Sequence, residues 1–536
     1  MYVKFKSLCH LLLIIVSFIT ITMNQTLMSL VQYYNIPNTK LTACVGVISF
    51  GGGLTGVLEN YNQMYEIPEF NPITSSCDVQ KTWYANGYAI GDMPKIVFYP
   101  VGDATNDLSD VDSTEENILD CTMVGCVPNK NLTIVLFRFP ISWQATYIQA
   151  FKFVFENAFP FIKPKILTCS WGSPEIIYSI EQLEQTNGLF QLMAANGFNI
   201  CVATGDQGNT DGNGTTTLCI DFPSCCPYVI SVGGSNINPT NETVWNLGVD
   251  DTNTLWATVG GYSSYFKTPW YQFQKNSNQY RSVPDVVMHA GNTELYYYGV
   301  ISVDSGTSFS CPLFAGCLAT IANLNQFVNP LLYSIPNNCF NKQIFGNNYS
   351  NNSTGLVISP LILNNLTIVV NEESFAQCNI NVGSSTLNYS GNNVLIIQDN
   401  NNPNNFIGSI VNDYIDTILN VGFVNLHGAF KMNSSLQSNY TIKTLLTQTE
   451  NTNTIPSYVS NPFNCLFNQC IGLGSINGNL FFNTLYKILN KNNNANSYKS
   501  QQPLYTNNAM VYYKPHSLPS GGIGSVKNSR MKARRT

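Results

Sequence analysis

The stretch "ACVGVISFGGG" (43–53) is a mostly apolar run that ends in three glycines. Five later stretches have a similar form, and most of them end in glycine or a turn: "KIVFYPVG" (95–102), "LTIVLFRF" (132–139), "KILTCSWG" (165–172), "NICVATGDQG" (199–208) and "YVISVGG" (228–234). Short apolar runs bounded by turn residues are typical of buried parallel strands. The sequence therefore predicts six strands between about residues 40 and 235.

Helix-like segments lie between these strands, among them 74–90, 145–158 and 179–197. Alternating strands and helices predict an α/β fold with an open, doubly wound parallel sheet. In such sheets ligands bind beyond the carboxyl ends of the strands. The glycine-terminated strand ends are therefore where we expect a functional site.

The composition excludes several classes of protein. The chain has 536 residues, of which 44% are hydrophobic and 10% charged, so it is globular rather than disordered. Lys and Arg number 25 against 31 Asp and Glu, and several of the cations belong to the final ten residues. A mildly acidic body of this kind does not predict a nucleic-acid surface.

The remaining segments differ in composition. Two lysines precede an apolar run within residues 1–23, which predicts a signal peptide or an N-terminal anchor. We therefore expect a secreted, acidic lumenal or surface-displayed protein, with membrane association only if this segment stays uncleaved. Residues 350–455 are rich in Asn and predict a β-leaning insertion with strands near 366–370 and 393–399. Apolar patterning returns over 456–490 with a final helix, and an irregular basic tail (491–536) follows.

The chain contains 16 cysteines. Behind a secretory segment, disulfides are the expected use, and the short-range pairs Cys121/Cys126 and Cys465/Cys470 are plausible. The spacings do not form the C-x-x-C pairs of a zinc site.

A candidate nucleophile lies in "SGTSFSCPLFAG" (305–316), where Ser308 follows a tight glycine turn at the start of a predicted helix. A serine hydroxyl attacks only when a base takes its proton. The four histidines, His10, His289, His427 and His516, do not stand in a strand-to-helix turn upstream of Ser308. A Ser-His-Asp triad is therefore not predicted, and carboxylates, which can act as bases in acid, remain.

The block "SGTSFSCPLFAG" resembles the nucleophile motif of the sedolisins, the serine-carboxyl peptidases (peptidase S53), which include tripeptidyl peptidases. Further blocks resemble the family in the same order: "LMSLVQYYNIPNTKLTACVGVISFGGG" (27–53), "CDVQ" (77–80), "LTCSWG" (167–172), "YVISVGGS" (228–235), "GGYSSYFKTPWYQ" (260–272) and "RSVPDVV" (281–287). The resemblance covers roughly residues 27–349 and 456–488. It implies a subtilisin-like peptidase domain formed by 24–349 and 456–490.

The resemblance also implies site residues. Ser308 matches the family nucleophile, and Asp206 in "TGDQG" matches the aspartate whose protonated carboxyl helps to bind the oxyanion. The family base is the glutamate of a Glu-x-x-x-Asp pair on one helix. Asp78 in "CDVQ" matches that aspartate, and Thr74 stands four residues earlier, at the position of the glutamate.

Two other family features depart from the expected pattern. Lys342 and Asn468 stand where the family has calcium-binding carboxylates, so we predict no calcium and no other cofactor. The catalytic-like part also begins almost directly after the N-terminal apolar segment, without the expected prodomain.

Two functions remain open on the sequence. The first is an acid-acting serine-carboxyl peptidase that cleaves polypeptide substrates through Ser308, with Asp206 in the oxyanion hole and Asp78 in a remodelled base. The second is a catalytically inactive pseudopeptidase that binds peptides, because threonine cannot serve as a base. Whether the chain is an enzyme at all depends on Thr74.

Overall fold

A computed structural model describes residues 25–345 and 348, except 128, 146, 214–217, 238–241, 274, 276–278 and 342–343, together with six strand segments between 366 and 415 and residues 469–496. The helices of this part are α1 (Leu27–Tyr33), α2 (Asp78–Ala85), α3 (Val111–Val124), α4 (Ile148–Glu156), α5 (Ile180–Ala195), α6 (Thr307–Ala319), α7 (Asn329–Ser334) and α8 (Gly478–Asn496).

The first nine strands of the described part, in chain order, are β1 (Ala43–Ser49), β2 (Tyr65–Glu66), β3 (Lys95–Pro100), β4 (Leu132–Arg138), β5 (Ile166–Cys169), β6 (Ser173–Pro174), β7 (Asn199–Ala203), β8 (Asp221–Phe222) and β9 (Ile230–Ile237). They are followed by β10 (Glu242–Val244), β11 (Asn246–Val249), β12 (Leu255–Ala257), β13 (Gly261–Lys267), β14 (Tyr280–Val283), β15 (Val286–His289), β16 (Thr293–Tyr297), β17 (Val300–Asp304), β18 (Phe340–Asn341) and β19 (Ile344–Phe345). The last strands are β20 (Leu366–Val370), β21 (Cys378–Val382), β22 (Ser385–Tyr389), β23 (Val394–Asp399), β24 (Asn402–Asn412), β25 (Tyr414–Ile415) and β26 (Ser475–Ile476).

One large sheet organises the structure, with strand order β19-β10-β9-β7-β5-β1-β4-β3-β2 and with β15 also paired to β9. Pairing from β3 through β4, β1, β5 and β7 to β9 is parallel, and β15 joins β9 in the same sense. The strand β1 is central, between β4 and β5. This confirms the predicted α/β fold with a mostly parallel, doubly wound sheet.

The six predicted strands all form, and so do the predicted helices near 145–158 and 179–197 and the final helix. The insertion contains β20 and β23 where strands were expected. The predicted helix over 74–90 is shorter, because it begins at Asp78 and ends at Ala85. Helix α3 was not predicted, since its first half, "VDSTEEN", is polar and hides the apolar period.

Helix α6 passes through the core, and every one of its residues except Ser308 is buried. It packs against β5, β7, β9 and β15 on one side and along α3 on the other, and α3 and α6 form the most extensive helix–helix contact of the described part. An almost wholly apolar helix is stable only when it is enclosed in this way. Ser308 is therefore held by a rigid element and still reaches the surface.

The glycines after β1 allow the first turn of α3 to lie close against the turn that follows β1. A Cβ at Gly51 would collide with Ser113, and a Cβ at Gly52, whose φ is +65°, would collide with the backbone of Thr114. Asn117 of α3 donates hydrogen bonds of 2.9 and 3.0 Å to the carbonyl groups of Gly51 and Gly53. The glycine run that marked the strand end thus anchors α3 next to the carboxyl end of β1.

The predicted Cys121/Cys126 disulfide is wrong. Both thiols are free and buried, as are eleven further cysteines between Cys44 and Cys470. Cys121 lies in α3 and Cys126 just beyond its end, where the Cys126 thiol donates to the carbonyl of Leu27 at 3.4 Å. Cys465 lies outside the described residues. The described thiols act as small core side chains, and burial raises the pKa of Cys121 and Cys126.

None of the helices in the described residues is long and apolar enough to span a bilayer. Residues 1–23, where the targeting segment was predicted, and the tail from 497 onward are outside the described part.

Candidate active site

The candidate nucleophile and the candidate oxyanion residue lie side by side. Asp206 follows β7, and its Oδ1 accepts hydrogen bonds from the backbone N–H and the hydroxyl of Thr307, at 2.8 and 2.7 Å. The hydroxyl of Thr307 also accepts from the N–H of Gly205, at 3.2 Å. These bonds fix the carboxyl of Asp206 at the N-terminus of α6, one residue before Ser308.

The second oxygen of Asp206, Oδ2, lies toward Gly306, where a Cβ would approach it to 2.8 Å. Because Oδ1 is occupied by the two donors of Thr307, a proton on this carboxyl belongs on Oδ2. The N–H groups of the first turn of α6 and the positive end of its dipole lie at the same place. A protonated Asp206 and the backbone of Ser308 can therefore both donate to a developing oxyanion.

Helix α3 runs alongside α6 in the same direction. The carbonyl oxygen of Val124 lies against Gly316, near the ends of the two helices. Cys311 lies about one turn earlier in α6. Burial raises the pKa of its thiol, and the nearby Cys201 thiol and Asp120 carboxylate raise it further. Asp120 is therefore level with Cys311.

Continuing this register by one more turn places Glu116 level with Ser308. Glu116 lies four residues before Asp120, and Ser308 lies three residues before Cys311, so each pair shares a helix face. Glu116 is half-buried, whereas Asp120 is fully buried and its Oδ1 accepts a hydrogen bond of 2.7 Å from the hydroxyl of Ser170. The stretch "ENILD" (116–120) is thus a Glu-x-x-x-Asp pair on the helix that packs along α6.

Thr74 and Asp78 lie elsewhere. Thr74 is in an exposed turn outside α2, so it does not share a helix face with Asp78. Asp78 is buried at the start of α2, where its Oδ1 accepts from the N–H of Gly299 at 3.0 Å and from Lys81 at 3.2 Å. Helix α2 packs against β16 and α3, whereas α6 packs along α3. Asp78 therefore lies on a different helix from Glu116 and Asp120, and its part in a remodelled base stays a prediction.

The sequence contained the information that identifies these two carboxylates. Glu116 and Asp120 have the family spacing, whereas Thr74 and Asp78 have only the aspartate. The resemblance of "CDVQ" to the family block and the weak helical period of 111–124 conceal this pair in the sequence.

Among the histidines, His289 is described, and it is fully buried at the end of β15. Its Nδ1 accepts from the N–H of Ile237, at 3.3 Å, and burial lowers its pKa to about 3. His289 is a core side chain with no place in a triad. The positions predicted to have lost calcium ligands, Lys342 and Asn468, lie outside the described residues. Within the described ranges no cluster of three His, Cys, Asp or Glu side chains could hold a metal ion.

Asp211 is a buried acid beside the oxyanion loop. It is 7% exposed, its Oδ2 has no hydrogen-bond partner, and its Oδ1 packs against Gly205. Burial raises the pKa of Asp211 well above the ordinary value of 3.8, and the nearby charge of Asp206 raises it further. Asp211 thus stays neutral in the folded protein at pH values where an aspartate in the unfolded chain is ionised.

This shift predicts a loss of stability as the pH rises. Below about pH 4 both states hold the proton, and above it each pH unit costs up to about 1.4 kcal/mol until the folded pKa is reached. Asp211→Asn is expected to flatten this slope when the free energy of unfolding is measured in urea between pH 4 and 7. The exposed Asp92→Asn serves as the control, and an unchanged slope in Asp211→Asn would contradict the prediction.

Comparisons with known proteins agree with this geometry. The model of the subtilase family (Peptidase_S8) matches residues 111–332, which begin with α3 and include Asp206 and Ser308. Kumamolisin of Bacillus sp. (strain MN-32) is 31% identical over 281 residues, which make up 48% of this chain and 49% of that relative. Sedolisin of Pseudomonas sp. (strain 101) is 34% identical over 159 residues, 27% of each chain. The chain thus spans about half or less of the length of these curated relatives.

A solved structure shares the fold. Pseudomonas sedolisin, described as a serine-carboxyl proteinase complexed with two molecules of pseudo-iodotyrostatin, superimposes with a TM-score of 0.50 and 25% identity. The match covers 62% of this chain and 91% of that structure. By its sheet, its residue blocks and these matches, the chain is similar to the sedolisins and has a subtilisin-like fold.

Proposed function

We propose that this chain is a serine-carboxyl peptidase that hydrolyses peptide bonds at acid pH. The observation that carries the proposal is the meeting of three elements: α6 with Ser308, the loop after β7 with Asp206, and α3 with Glu116 and Asp120. Ser308 is the nucleophile, Glu116 is its base, Asp120 shares a proton with Glu116, and Asp206 binds the oxyanion.

The chemistry follows from these positions. The hydroxyl oxygen of Ser308 attacks the peptide carbonyl carbon while its proton passes to Glu116. The carbonyl oxygen becomes an oxyanion that accepts hydrogen bonds from the protonated Asp206 and the N–H of Ser308. The C–N bond then breaks, the amine leaves with the proton from Glu116, and water hydrolyses the acyl-enzyme by the same steps.

An acid optimum is a direct consequence of Asp206. Only a neutral carboxyl can donate a hydrogen bond, and the two donors of Thr307 favour its ionised form. We expect activity to fall at higher pH, because an ionised Asp206 cannot donate to the oxyanion. We also expect it to fall at very low pH, because Glu116 and Asp120 are then both protonated and cannot accept the proton of Ser308. An acidic lumenal or extracellular setting, which the N-terminal apolar segment also predicted, fits this requirement.

The inactive alternative rested on threonine at the base position. With Glu116 available on α3, that reason no longer applies, and we favour an enzyme over a peptide-binding pseudopeptidase.

The decisive experiment compares the full chain with Ser308→Ala on an acid-denatured protein substrate from pH 2 to 8. We expect cleavage below about pH 5 by the wild-type chain alone, because the alanine variant lacks the attacking oxygen. Products are resolved by mass spectrometry, and circular dichroism checks that both proteins are folded. Equal cleavage by both samples points to a contaminating protease. No cleavage by either sample would overturn the proposal in favour of the pseudopeptidase.

A further inference from the structure

Ser170 is a polar residue at the carboxyl end of the sheet, and the family resemblance gave it no role. It follows β5, whose Cys169 pairs with Ile48 of β1 and Val202 of β7. Its side chain is 9% exposed, and its hydroxyl donates to Oδ1 of Asp120 at 2.7 Å. A buried hydroxyl aimed at a buried carboxyl group is a specific contact between β5 and α3.

The neighbours of Asp120 locate it between three elements. Burial raises the pKa of three thiols, and the Asp120 charge adds to each rise: Cys121 on its own helix, Cys169 on β5 and Cys311 on α6. Asp120 therefore lies where α3, the end of β5 and the second turn of α6 meet. Ser170 donates its hydroxyl hydrogen to Asp120 in this space.

We propose that Ser170 is a positioning residue for the Glu116–Asp120 pair: its hydrogen bond orients the carboxyl of Asp120 and favours the ionised form of the pair at acid pH. This inference rests on the proposed function, because the pair must be able to receive the proton of Ser308. A hydrogen bond to an ionised carboxylate is stronger than one to its protonated form. The base can then operate at a lower pH than it would without Ser170.

The titratable groups around the pair do not supply this effect by themselves. Asp120 faces Cys121 of α3, Cys169 of β5, which Asp221 also approaches, and Cys311 of α6. Cys77, the residue directly before α2, faces Cys121. All of the thiols are neutral at acid pH, because burial raises their pKa.

The test is the pH profile of kcat/KM for Ser170→Ala and Ser170→Thr, with the wild-type chain beside them. Loss of the hydroxyl is expected to move the acid limb of the profile up by about one pH unit, the shift that corresponds to one hydrogen bond to a charged group. The main change should be in kcat rather than KM, since Ser170 acts through Asp120. Ser170→Thr keeps the hydroxyl and should return the limb toward the wild-type position.

A second measurement separates this inference from the proposed function. Urea unfolding at pH 3 and pH 7 is compared for Ser170→Ala, Asp120→Asn and the double variant. The destabilisation by Ser170→Ala should be larger at pH 7, where the carboxylate is charged, and should lose its pH dependence in the Asp120→Asn background. This readout requires no cleavage, so it decides the inference even if the wild-type chain proves inactive.

Two results would overturn the inference. One is a Ser170→Ala profile that is lowered equally at every pH with its acid limb unmoved. The other is a destabilisation by Ser170→Ala that is the same at both pH values and in both backgrounds, which would make Ser170 an ordinary packing residue.

Discussion

Replacing Glu116 with glutamine is expected to lower kcat by at least about 10⁴-fold, because removing the base of a nucleophilic serine typically has an effect of this size. Glutamine preserves the shape of the side chain and cannot take a proton at any working pH. KM should change by no more than a few-fold, since the peptide contacts remain. Initial rates on a fluorogenic peptide at the acid optimum, fitted for kcat and KM, provide the measurement.

Matched variants decide between the two carboxylate assignments. Glu115→Gln makes the same chemical change one residue earlier, about 100° around α3, and should retain activity within a few-fold. Asp78→Asn should also retain activity once thermal unfolding shows that it is folded, and Thr74→Glu in the exposed turn should add none. Inactivation by Asp78→Asn with an active Glu116→Gln would restore the assignment based on "CDVQ".

Replacing Asp285 with asparagine is expected to give the largest loss of stability, about 3–5 kcal/mol, since it leaves a buried cation without its partner. Asp285 and Arg281 are both fully buried, and two guanidinium nitrogens of Arg281 lie 2.7 and 2.6 Å from the carboxylate oxygens. Burial lowers the pKa of Arg281, but the Asp285 charge more than offsets it and keeps the guanidinium charged.

The carboxylate of Asp285 also connects separate parts of the fold. It accepts from the N–H of Ser231 in β9 at 2.8 Å and from the hydroxyl of Tyr333 in α7 at 2.6 Å. Its loss therefore leaves several buried donors unsatisfied as well as the cation. Urea unfolding at pH 5 measures the change in the free energy of unfolding.

A double variant provides the control for this prediction. Arg281→Met with Asp285→Asn removes the buried charge together with its partner, so it should be less destabilised than the sum of the two single variants. Additive costs, or a loss below about 1 kcal/mol for Asp285→Asn, would show that the pair is not a major stabilising contact.

Much of the site was accessible from local sequence. Ser308 and Asp206 each stand next to a glycine turn at the end of a strand or the start of a helix, and parallel strands bring such ends to one edge of a sheet. The bond between Asp206 and Thr307 follows from that arrangement. Exclusion of a histidine base also required only the positions of four residues.

The sequence by itself determined the alternation of strands and helices, and with it the parallel sheet and the edge at which the nucleophile lies. Only the tertiary structure decided which acidic helix faces Ser308. Asp78 and Asp120 both lie on helices that precede a buried strand, and the Glu-x-x-x-Asp spacing of Glu116 and Asp120 does not by itself show that their helix packs along α6. The strand order does: β4 pairs directly with the central β1, whereas β3 is one strand further out. The helix that leads into β4 therefore packs along α6, because neighbouring strands place their connecting helices side by side over the same face of the sheet.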